Sequence, residues 1–122
     1  MTHILIAGPI HQRGMELVQS APGITYTLIP EISTESYLPH LAEADAIVLR
    51  TQPMPAAAVA MAPRLKIVSR HGVGYDAVDV AALNARAIPL AVVGDVNSRA
   101  VAEHTLMLML SSARRTIAYD RA

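Results

Sequence analysis

The sequence predicts a doubly wound α/β domain built on a parallel sheet. Three observations predict it. Short apolar runs alternate with helical stretches along the whole chain. Several runs are apolar throughout, as strands buried on both faces should be. Most runs end at Gly or Pro, which break the pattern before the next helical stretch begins. Such alternation implies right-handed crossovers and helices on both faces of the sheet.

Residues 3–7 (His-Ile-Leu-Ile-Ala) read as the first strand, stopped by Gly8-Pro9. Gln12–Ser20 places Met15, Leu17 and Val18 at helical spacing, and Pro22-Gly23 ends it. Ile24–Ile29 is rich in strand formers and closes at Pro30. Residues 36–44 look helical, with Pro39 confined to the first turn because it has no N–H to donate. Ala46–Leu49 is a strand without alternation, and residues 55–62 are an Ala-rich helix ended by Pro63. Residues 65–69 form a strand, 78–85 a helix with Asp76 or Asp79 near its positive end, and 88–93 a strand closing at Gly94. From Ser98 the pattern is helical to the end. The result is five strand–helix pairs, a flavodoxin-like order. Ligands of such sheets sit outside the carboxyl ends of the strands. Those ends are Gly8-Pro9, Arg50-Thr51, residues 71–75 and residues 94–97.

The chain has 122 residues, 52% apolar and only 16% charged, so disorder is excluded on composition. Ten basic and ten acidic side chains balance, which argues against a nucleic-acid partner or a polybasic membrane surface. No cysteine is present, so there is no disulfide or thiolate chemistry. With no signal-like start and no long apolar run, a cytoplasmic location is the expectation.

The final helix, about 25 residues or roughly 37 Å, is long for so small a domain. Residues 105–110 are apolar nearly all round. One face can pack on the sheet and the other needs a partner, either a second copy or a further domain.

Gly72-Val73-Gly74-Tyr75-Asp76-Ala77 fits a dinucleotide fingerprint after a strand, with Asp95 about twenty residues on. The helix starts late for a diphosphate site, so a plain turn and a loop cradling a smaller anion stay open beside it. Asn97-Ser98 opens the last helix as a cap, as a ligand donor, or as both. Arg50, after its strand, is a bidentate clamp for carboxylate or phosphate, or else a surface ion pair. The five histidines have no metal-ligand spacing, so no metal is expected.

Residues 65–79, the opening Asn97-Ser98-Arg99-Ala100-Val101-Ala102-Glu103-His104, and Ala87-Ile88-Pro89 between them resemble the D-isomer-specific 2-hydroxyacid dehydrogenase family. The first seventeen residues are similar too, and Arg50 points to the phosphoglycerate dehydrogenase subgroup. The resemblance implies an enzyme of two α/β domains that moves a hydride between NAD and a 2-hydroxy acid. Residues 1–97 would be the substrate-binding domain and 98–122 an interdomain helix leading to an NAD-binding domain. Val73 and Gly74 would donate backbone N–H groups to the substrate carboxylate, Asn97 and Ser98 would bind substrate, and Arg50 would meet a phosphate. Val101 would pack near the nicotinamide. The family's catalytic arginine, glutamate and histidine match nothing in this chain, so it is expected to be inactive alone and to work as a homodimer when intact. The other expectation is a stand-alone flavodoxin-like regulatory module dimerising through its last helix.

Overall fold

The computed structural model describes residues 1–121. Five strands, β1 (Thr2–Ala7), β2 (Ile24–Ile29), β3 (Ala46–Leu49), β4 (Ile67–Arg70) and β5 (Leu90–Val92), form one sheet in the order β2-β1-β3-β4-β5. All four pairings are parallel, with Ile4 of β1 level with Tyr26 of β2 and Ala46 of β3. This is the doubly wound order expected from the alternation.

Local chemistry sets the helices. The His11 ring accepts from the Arg13 N–H and opens α1 (Gln12–Ser20). Ser33 caps α2 (Thr34–Tyr37), and Pro39 sits in the first turn of a 3₁₀ helix, Leu38–Glu43. α3 (Ala56–Ala60) follows Pro55, and α4 (Val80–Ala85) starts where the Asp79 carboxylate accepts from the Ala82 N–H at 2.9 Å. The region expected as one helix over 36–44 is thus an α-turn followed by a 3₁₀ helix. Pro39 cannot donate, so the tighter winding takes over.

The core lies on one face of the sheet. Leu5, Ile47, Leu49 and Val68 meet Tyr37, Leu41, Met54, Val59 and Leu83, all nearly inaccessible. Tyr37 donates its hydroxyl to the Pro53 carbonyl at 2.6 Å, and burial pushes its pKa up to about 12. At the amino ends of the strands, Asp45 accepts from the His3 N–H at 2.9 Å and from Arg64 at 2.8 Å, with Lys66 at 3.2 Å. The His3 bond is the main reason its carboxyl is held down to about 2; the two cations add to it.

The second face is covered less than expected. α1 lies against β2, but Ile67 of β4 is 38% exposed. The long terminal helix is also corrected. α5 runs only over Ser98–Ala113, Arg115 takes a left-handed conformation at φ 52°, and a short α6 (Thr116–Asp120) follows. Arg115 supplies the stop usually left to glycine, so the sequence carried no mark of it. Nor does one face of α5 pack on the sheet: none of its residues is buried. Residue 122 lies outside the described residues.

Candidate functional site

The sheet reverses its winding between β1 and β3, because β2 lies on one side of β1 and β3 on the other. A crevice at the carboxyl ends of these strands is where such folds bind ligands. Gly8 leaves β1 at φ +92°, a conformation that side chains disfavour. A Cβ there would stand 3.1 Å from the Arg50 Cδ. Arg50 leaves β3 with its N–H on the Ala7 carbonyl, and its Nη1 donates to the Pro9 carbonyl at 3.0 Å. Among the described residues no carboxylate pairs with it, so the surface ion pair is not seen. Arg50 therefore keeps guanidinium donors for an incoming anion.

The next wall is the loop after β4. Its start is fixed to β3 by the His71 N–H on the Leu49 carbonyl at 2.8 Å. The Arg70 guanidinium folds over the turn, donating to the His71 carbonyl. A Cβ on Gly72 would fall 2.6 Å from Arg70 Nη1, so a larger residue there would push the guanidinium off the turn. Gly72 in turn accepts from the Val93 N–H at 3.2 Å, which ties the loop to the exit of β5. The N–H groups of Val73 and Gly74 donate to no acceptor among the described residues. Adjacent unpaired N–H groups in an exposed turn are suited to a carboxylate.

The same geometry tests the dinucleotide reading. Helix α4 begins six residues after Gly74, and the Asp79 carboxylate already sits at its opening, accepting from the Ala82 N–H. An isolated bridge from Met54 to Val78 holds the stretch between. The diphosphate of NAD would meet a carboxylate instead of free donors, so the residues of this loop do not fit it.

The last wall is the start of α5. The Asn97 carbonyl accepts from the Val101 N–H at 2.9 Å, but its side-chain amide caps nothing. Ser98 donates its N–H to Asp95 at 3.0 Å, so Asp95 belongs to a turn. Val101 stands one turn on, 55% exposed. Arg50, the loop at Val73 and Gly74, and Asn97-Ser98 thus all lie along the carboxyl edge. No histidine is paired with a carboxylate among the described residues, and none of them forms a metal-binding group.

Sequence reasoning placed Gly8 at the ligand edge without its role, and it missed Arg70 and Gln52. Gly8 gives Arg50 its room, Arg70 shapes the loop, and Gln52 lies buried two residues after Arg50. Gly8 at a strand end was a visible signal; the other two depend on contacts between elements.

The chain is 31% identical over 120 residues to a D-3-phosphoglycerate dehydrogenase of Archaeoglobus fulgidus, covering 98% of the chain and 23% of that protein. It is 34% identical over 96 residues to glyoxylate/hydroxypyruvate reductase B of Citrobacter koseri, covering 76% and 30%. A solved 2-hydroxyacid dehydrogenase from Ketogulonicigenium vulgare superposes with a TM-score of 0.74 at 29% identity, covering 98% of this chain and 39% of that one. The chain spans about a quarter of the length of these curated relatives. Residues 4–120 match the D-isomer specific 2-hydroxyacid dehydrogenase catalytic domain, and the chain belongs to that family.

Proposed function

We propose that this chain holds and orients a 2-hydroxy or 2-keto acid for a redox step completed by other parts of a larger enzyme. The observation that carries the proposal is that the N–H groups of Val73 and Gly74, two exposed residues on the ligand edge of the sheet, have no acceptor among the described residues. The acid's carboxylate accepts from both, a grip that fixes the second carbon without bond-making. Asn97, with its amide uncommitted, donates to the oxygen on that carbon, and Ser98 lies beside it. Arg50 neutralises a phosphate where the acid carries one, as in a phosphoglycerate dehydrogenase.

In this family the bound nicotinamide cofactor, NAD, supplies the hydride exchange. Of the present residues only Val101 flanks it, because the loop at Gly72 does not fit its diphosphate. Residues 1–97 serve as the substrate unit and 98–122, the stretch that carries α5 and α6, as the interdomain connection. Apolar side chains on α5, from Leu106 to Leu110, are each 49–66% exposed and supply the surface for that contact and for a homodimer. We place the enzyme in the cytoplasm; among the described residues no helix is long and apolar enough to cross a membrane. The stand-alone regulatory module draws no support from the relatives.

The test is calorimetric titration with hydroxypyruvate and 3-phosphoglycerate. Asn97→Ala should weaken both by about 1–3 kcal/mol, the cost of an unpaired partner. Arg50→Lys should weaken 3-phosphoglycerate more, since Lys lacks the planar fork. Equal losses for the two acids would remove Arg50 from a phosphate role, and unchanged affinity in Asn97→Ala would remove Asn97 from the site.

A further inference from the structure

Gln52 lies midway between Arg50 and Met54 in a segment pinned at both ends. Arg50 bonds to the Ala7 carbonyl at the switch point, and Met54 exchanges backbone bonds with Ala77 and Asp79 at the far end of the carboxylate loop. Between them the Tyr37 hydroxyl holds the Pro53 carbonyl. Gln52 is 2% exposed, and among the described residues neither its amide nitrogen nor its oxygen has a partner. A buried amide left unpaired is a net cost, and methionine would fill the same space without it. A buried polar group that the chain itself leaves unpaired is a candidate partner for something bound there.

We propose that Gln52 is a specificity-determining residue of the acid site, pairing with the polar substituent an acid carries beyond its second carbon. The inference rests on the carboxylate reading above. Among the described residues the Arg50 side chain is tied to the Pro9 carbonyl alone. An anion gripped by Arg50 brings the ligand's tail to the end of β3, where the Gln52 side chain turns to meet it while the segment's backbone stays pinned.

The test compares D-glycerate, which has a hydroxymethyl tail, with glycolate, which has none. Wild type should prefer D-glycerate about tenfold, the discrimination expected of one buried hydrogen-bonding group. Gln52→Met should melt at a higher temperature, because no amide is left unpaired, and should show a preference of about twofold or less. A variant that melts lower or keeps the wild-type preference overturns the assignment, as does a wild type that binds both acids equally. If wild type binds neither acid and the Val73 and Gly74 amide resonances stay still, the carboxylate reading itself fails and this inference goes with it.

Discussion

Gly8→Ala should damage the switch point in two separable ways. The first is conformational: Gly8 sits at φ +92°, where an L side chain costs about 1–2 kcal/mol. The second is steric. The new Cβ would stand 3.1 Å from Arg50 Cδ and 3.3 Å from its Cβ, and the latter is fixed by the strand. Arg50 must give by a few tenths of an ångström, and the strained Pro9 hydrogen bond adds about 1 kcal/mol if it is lost. Gly23→Ala is the matched control. Its φ is also positive, at +74°, but a Cβ there meets nothing within 4 Å. With an unfolding entropy of about 2.1 cal/mol/K per residue, each kcal/mol lowers Tm by about 4 °C in a chain of this size. Gly23→Ala should therefore lose about 4–8 °C and Gly8→Ala about 4 °C more, read by circular dichroism melting. Gly8→Ala should also bind 3-phosphoglycerate more weakly, while Gly23→Ala should not. Equal melting losses in the two variants would refute the account of Arg50's position.

Asp45 has its carboxyl held near 2 rather than the ordinary 3.8, mainly by the His3 N–H. Its contribution is therefore complete above about pH 4 and is lost as pH falls toward 2. Asp45→Asn should lower stability at neutral pH and flatten this acid limb; denaturant unfolding at pH 2 to 6 would show an unchanged limb if the reasoning fails. Tyr37→Phe should cost about 1–2 kcal/mol, because the buried Pro53 carbonyl loses its donor. With its pKa raised to about 12, Tyr37 stabilises fully below pH 10 and loses that contribution toward pH 12. Wild type should therefore weaken over that range more than Tyr37→Phe, and parallel profiles would contradict this.

Much of the fold was legible because the chain punctuates it. Gln12–Ser20, Ile24–Ile29 and Ala46–Leu49 take the same bounds in structure and sequence. Each of the first two is closed by Pro or Gly, and the third is apolar throughout. Where one signal had to compete with another, the reading slipped. Pro39 looked compatible with an α-helix and instead marks 3₁₀ winding. The end of α5 carries no glycine, so its stop at Arg115 lies in backbone conformation alone. The site followed the same division. Arg50, Gly74 and Asn97 were visible from their places after strands. Arg70 over Gly72, and the buried Gln52, arise from packing between elements, which no local pattern encodes.

The most direct measurement follows the backbone amide resonances of Val73 and Gly74 in the ¹⁵N-labelled chain, titrated separately with hydroxypyruvate and with NADH. The account predicts that the acid moves these two amides strongly and that the dinucleotide leaves them in place. Movement by NADH with none by the acid would mean that the turn binds a diphosphate, and the assignment of this domain to the substrate would be wrong.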